Sequence, residues 1–236
     1  MDSAAITDHG VMYGVIDFYR AAKAAGINPI LGCEVYVAPG SRFDREIGSG
    51  DDRYYHLVLL AENNQGYQNL MKIVSKSFKE GFYYKPRVDL ELLREYHEGL
   101  IALSACLAGE VARFLTRGMY PDAKKAALRY QEIFGEGNFF LELQDHGIPE
   151  QQNVNQQLLR MHQETGIDLV ATNDIHYTYK EDADPHDILL CLQTGKKLSD
   201  TDRMRYEGGQ YYVKSEQEMA ALFPYALEAL ENTHKI

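Results

Sequence analysis

Short apolar runs alternate with amphipathic segments along this chain, and almost every run ends in a residue that can bind a metal. The runs are Ala4–Thr7, Pro29–Val37, His56–Ala61, Leu100–Leu103, Phe139–Leu143 and Leu169–Thr172. Between them lie helical patterns. One follows Gly14 with Val15, Phe18, Tyr19 and Ala22 on a single face and Gly26 as its stop. Others cover Asn64–Phe78, Gly109–Thr116, Pro121–Phe134 and Pro149–Thr165, two of them opened by proline and the last closed by Gly166. Repeated β-α units whose strands are apolar throughout predict a parallel sheet covered by helices, either open or closed into a barrel.

Beyond Tyr179 the pattern changes. Asp187–Gln193 reads as a helix, Gly208-Gly209 as a turn and Tyr211–Lys214 as a short strand. Ser215–Phe223 reads as a helix with a serine cap and Glu218 at its third position. The expected division is therefore a β/α barrel domain over 1–180 and a C-terminal extension over 181–236. Pro39–Arg53, rich in Gly, Ser and charge, reads as an exposed loop.

In a parallel β/α barrel the C-terminal strand ends share one face, and active sites are built there. The ends here supply Asp8 and His9, Glu34, Cys106, Asp145 and His146, and Asp174 and His176, while His56 opens its strand. Imidazole mixed with carboxylate suits Zn, Mn or Fe better than Ca or Mg. Such a set can hold two ions about 3.5–4 Å apart, the arrangement that supports phosphoester hydrolysis. Taken singly, each residue has an ordinary reading: Asp-His-Gly as a turn, Glu34 as a paired buried acid, Cys106 as core. Those readings weaken jointly, because the polar residues recur at the same end of successive strands. His97, His162, His186 and His234 lie on helical or loop stretches and read as surface groups.

Composition narrows the classes. No stretch approaches the roughly 18 apolar residues of a membrane span, and Met1–Gly10 lacks the basic start and apolar centre of a signal peptide. Three scattered cysteines make no disulfide framework and fit a reducing cytoplasm. A net charge of −11 excludes a surface that wraps nucleic acid on all sides. One local basic stretch remains: Lys72, Lys76, Lys79, Lys85 and Arg87, interleaved with Phe78, Phe82, Tyr83 and Tyr84, a mix able to hold a DNA strand by charge and stacking. Neither a nucleophile elbow nor a glycine-rich phosphate loop is found.

Five segments in order resemble the PHP (polymerase and histidinol phosphatase) domain of bacterial replicative DNA polymerases. They are Ile6–Gly14 (ITDHGVMYG), Gly32–Tyr36 (GCEVY), Tyr55–Ala61 (YHLVLLA), Leu103–Glu110 (LSACLAGE) and Thr172–Tyr177 (TNDIHY). The resemblance implies a distorted (β/α)7 barrel with its metal centre at the strand ends. Its metal ligands would be His9, Glu34, His56, Cys106, Asp174 and His176, with Asp174, His176 and His9 serving the reaction. Asp8 and His146 would stand behind the ligands or beside substrate. The ions would be Zn or Mn, two to three in a full domain and one with this set. It further implies metal-dependent 3′–5′ exonuclease proofreading in the bacterial cytoplasm, with a DNA 3′ end, other polymerase domains and replisome subunits as partners and no membrane. The alternatives are a non-catalytic scaffold that supports the polymerase and a free-standing phosphoesterase. The family opens with a strand carrying His-x-His, whereas this chain starts just before the second motif, so the expected barrel lacks its first strand and helix. Activity of the chain alone is accordingly expected to be reduced or absent. Thr194–Lys197 and Tyr211–Phe223 resemble the run-in to the polymerase region.

Overall fold

Glycine and proline bound α5 and α6 in the computed structural model, which describes residues 1–46 and 53–236. The strands are β1 (Ser3–Ile6), β2 (Asn28–Val37), β3 (Tyr55–Ala61), β4 (Phe82–Tyr83), β5 (Lys85–Val88), β6 (Leu100–Leu103), β7 (Phe139–Leu143) and β8 (Leu169–Ala171). The helices are α1 (Val15–Ala24), α2 (Asn64–Lys79), α3 (Leu90–Tyr96), α4 (Glu110–Thr116), α5 (Tyr120–Phe134), α6 (Pro149–Thr165), α7 (Ala183–Thr194), α8 (Glu216–Leu222) and α9 (Leu227–Glu231). Helix α6 begins on Pro149 and stops at Gly166 in the left-handed region, as its sequence predicts.

The sheet runs β4-β5-β2-β3-β6-β7-β8, with β1 added beside β2, and curls into a half-barrel. Alternation divides its two faces. Val58, Leu60, Ile101, Leu103, Phe140 and Val170 form the inner cluster. Cys33, Val35, Leu57, Leu59, Ala102, Phe139, Leu141 and Leu143 join the helices in the larger outer core. At about 25 cal/mol per Å² of apolar surface buried, this second layer is the main stabilising contribution.

The expected all-parallel order is corrected in one respect. Strand β3 runs antiparallel to both β2 and β6, and β4 and β5 form an antiparallel pair. The remaining pairings are parallel. The expected strand Tyr211–Lys214 is irregular chain instead. The Tyr211 carbonyl accepts from the amides of both His176 and Tyr177, and Val213 N–H donates to Thr178, so no repeating ladder forms.

The loop call over Pro39–Arg53 falls partly on 47–52, outside the described residues. The part before them is anchored rather than exposed at Arg42, which pairs with Asp89, Glu80 and Glu91. Gly66, near the start of α2, is required by packing: a Cβ there would lie 1.7 Å from the Gly99 carbonyl oxygen. In the extension, Ser215 and Glu218 close the expected capping box. Ser215→Ala is expected to cost about 1 kcal/mol, read as a fall of about 2–4 °C in melting temperature.

Candidate metal centre

Three ligand-type side chains meet where β1, β2 and β3 come together. The chain after β1 continues beside β2, Gly10 N–H donating to Glu34 O (2.9 Å) and Glu34 N–H to Asp8 O (3.1 Å), which sets His9 opposite Glu34. Gly10 makes the turn that follows: its φ is +70°, and a Cβ would lie 2.6 Å from the Tyr36 ring. Strand β3 is antiparallel to β2, with Glu34 opposite Val58 and Tyr36 opposite His56. Glu34 and His56 are therefore diagonal neighbours on the inner face. Because β3 is reversed, its N-terminal end arrives where the parallel strands finish. His56, the second residue of β3, therefore still belongs to the mouth.

The ligand atoms of His9, Glu34 and His56 lie within 4.8 Å of one another. His9 Nδ1 is 3.5 Å from Glu34 Oε1, and His56 Nδ1 is in close contact with the same oxygen. That oxygen is buried and has no hydrogen bond of acceptable geometry. Burial alone would raise the Glu34 carboxyl, but His56 and His9 overrule it and hold the pKa at about 2. His9 is raised in turn, chiefly by Glu34 and against its own burial. A buried carboxylate oxygen faced by two imidazole nitrogens fits a divalent cation by both geometry and donor type.

The other three expected ligands surround this group. Cys106 Sγ is 3.8 Å from His56 Nδ1. Its thiol is raised well above the ordinary range by burial, then by Glu34 and Asp174, so the metal-free protein carries a protonated thiol there. The His176 ring lies 6.1 Å from that of His9. His176 Nδ1 donates to the Asp174 carbonyl at 2.7 Å, which fixes the tautomer and leaves Nε2 as the lone-pair nitrogen. Asp174 has φ +43°, rare for a side-chain-bearing residue, and its carboxyl is raised by burial.

The remaining residues singled out in the sequence stand outside the three-residue group. Asp8 turns away, accepting from Gly14 N–H at 3.2 Å at the entrance to α1. His146 is buried with both ring nitrogens engaged: Nε2 donates to Asn173 O and Nδ1 accepts from Gln151, each at 2.8 Å. It cannot reach substrate and instead supports the loop that carries Asp174. The basic stretch does not act as a unit. Arg87 is 1% exposed and spends its guanidinium on the carbonyls of Gly81, Arg42 and Asp44, which overturns its reading as a DNA contact. Lys76 pairs with Glu80, Lys72 lies over Tyr96, Lys85 lies over Tyr36, and Lys79 is exposed.

His186, read as a surface group, is half-buried with its ring 5.8 Å from His176. Tyr206 and Tyr211 pack on His176 as well, at 4.3 and 5.7 Å. These partners come from the extension, and no spacing in the sequence ties them to the mouth.

A PHP domain family model matches residues 1–146. The chain is 47% identical over 235 residues to DNA polymerase III subunit alpha of Treponema pallidum and 46% identical over 236 residues to that of Borreliella burgdorferi. Each comparison covers 100% of this chain and 20% of the relative. The subunit of Thermus aquaticus is 46% identical over 236 residues, covering 98% of this chain and 19% of the relative. The chain thus spans about a fifth of the length of these relatives.

Proposed function

The chain belongs to the PHP domain family, and we propose that it serves a replicative DNA polymerase as a metal-dependent phosphoesterase site acting on DNA 3′ ends. The carrying observation is the His9–Glu34–His56 group, in which one buried carboxylate oxygen faces two imidazole nitrogens. These three residues would hold one divalent ion, Zn or Mn by donor type, with Cys106, Asp174 and His176 completing its surroundings. A cation there supplies Lewis-acid stabilisation of phosphodiester charge.

This chain's residues set the conditions for that chemistry. His9 and His56 must be neutral to offer lone pairs, and Cys106 must give up its thiol proton to become a ligand. Glu34, held ionised, supplies the local negative charge. Among the described residues no helix is long and apolar enough to cross a membrane. Contact with other polymerase parts is supported by the exposed Ile188, Leu189 and Leu192 on α7, an apolar face of the kind that marks interaction surfaces.

The test is twofold: titration of the chain with Mn²⁺ or Zn²⁺, and nucleotide release from the 3′ ends of single-stranded DNA. Metal-dependent release that disappears in Glu34→Gln supports the proposal. Metal binding with no release assigns the same residues to a structural centre and favours the scaffold reading. Absence of binding overturns the metal-dependent reading and favours a metal-free scaffold.

A further inference from the structure

Asn173 is held from three directions. Its carbonyl accepts from His146 Nε2 at 2.8 Å. Its side-chain amide donates to the carbonyls of Gln210 and Tyr212 at 3.0 and 2.7 Å. Its side-chain oxygen accepts from Lys214 Nζ at 3.2 Å, and the same ammonium donates to the Gln210 carbonyl. Asn173 and Lys214 are 7% and 8% exposed, so these bonds form largely out of water.

The same strip of the extension grips the other side of the loop. The Tyr211 carbonyl accepts from the amides of His176 and Tyr177 at 2.9 and 3.3 Å, and Tyr211 N–H donates to the Tyr177 hydroxyl at 3.2 Å. The Tyr211 ring stacks on His146 with centroids 3.8 Å apart. Between these grips lies Asp174 in its left-handed backbone conformation. A residue in such a conformation persists when its surroundings over-determine it. Residues 210–214 do so here, although they lie more than thirty positions further along the chain.

We propose that Lys214 is a positioning residue for the metal site: by binding Asn173 and the Gln210 carbonyl together, it locks the 173–176 loop so that Asp174 and His176 face His9. The inference rests on the proposed function in taking Asp174 and His176 as ligands. It adds that the C-terminal extension sets the quality of that site. A buried ammonium is well suited to the task, because it donates to a side-chain oxygen and a carbonyl at once. A methylene chain of similar length fills the space and donates nothing.

The experiment compares wild type with Lys214→Met, Lys214→Arg and a core control, Leu93→Ala on α3. Mn²⁺ affinity is measured by calorimetry, melting temperature by circular dichroism, and the His176 tautomer by long-range proton–nitrogen NMR without metal. Lys214→Met is expected to weaken Mn²⁺ binding about 10- to 100-fold, the usual effect of removing a residue that orients ligands. Its His176 should lose the pure Nδ1–H form. Lys214→Arg, which keeps a cationic donor, should recover most of both. Lys214→Met binding Mn²⁺ as wild type does, or losing affinity only as far as Leu93→Ala does, overturns the proposal. Should Lys214→Met fail to fold, Lys214→Gln decides on the same readouts. Should wild type bind no Mn²⁺, the metal reading falls. The tautomer comparison still decides whether Lys214 orders the loop.

Discussion

Glu34→Ala is expected to abolish divalent-metal binding by this chain and, with it, any effect of chelator on melting. Glu34 is the one carboxylate in the three-residue group, and its Oε1 is the atom both imidazoles face. Without it the two imidazoles lose the carboxylate that both face. Cys106, Asp174 and His176 lie outside the three-residue group and do not replace its charge between them. The remaining set is too weak for an ion that usually takes four ligands. In wild type, metal at 100 times its dissociation constant stabilises the fold by about 2.7 kcal/mol. For a chain of this size that is a rise of about 5–11 °C in melting temperature.

The pH dependence should change sign with metal. Without metal, Glu34 has a folded pKa of about 2 against an ordinary value of 4.5. Its contribution is complete above pH 4.5 and is lost as pH falls toward 2. His9 is raised above 6.5, so its contribution is complete below 6.5 and fades as pH rises through the raised value. The apo protein should therefore gain most from this pair between pH 4.5 and 6.5. Metal needs neutral imidazole, so its stabilisation should grow above about pH 6. Melting curves at pH 5.5 and 7.5, with Mn²⁺ and with chelator, check both slopes. Equal curves with and without chelator at pH 7.5 would sink the metal assignment.

What could be read from the sequence follows from the range of the forces involved. Helix α6 was legible to the residue because proline and glycine fix its ends locally. The set of six proposed ligands follows from the motif resemblance and not from strand ends alone: Glu34 lies inside β2 and His56 near the start of β3. Strand direction was not legible: nothing within Tyr55–Ala61 says that it pairs antiparallel, since its apolar run suits either sense. Helix α3 was unmarked, and the elements β4 and β5 before it were hidden inside a stretch that reads as basic. There Arg87 looks like a surface charge, and only the carbonyls of Gly81, Arg42 and Asp44, brought in by folding, make it a core residue. The contacts of Asn173 with residues 210–214 are equally long-range.

Asp89→Ala should be among the most destabilising single changes outside the core. Asp89 is 3% exposed and accepts four times: from Arg42 N–H at 2.8 Å, from Arg42 Nη1 at 2.9 and 3.1 Å, and from Leu92 N–H at 3.0 Å as the cap of α3. Truncation removes the cap and leaves the Arg42 guanidinium, itself nearly buried, with only Glu80 and the exposed Glu91. Removing one partner of a buried ion pair costs about 3–5 kcal/mol, because the remaining charge cannot return to water. The expected fall in melting temperature is about 6–20 °C. Asp89→Asn keeps a capping oxygen and should fall in between. Arg42→Ala combined with Asp89→Ala should cost less than the two singles added, since each single already breaks the same pair. The consequence reaches the metal centre through β5. The Arg42 carbonyl accepts from Arg87, Arg87 is the β5 partner of Tyr36, and the Tyr36 ring packs at 5.3 Å on His56. A melting temperature within about 2 °C of wild type, a loss of under about 1 kcal/mol, would show that this buried network does not anchor the wall behind His56.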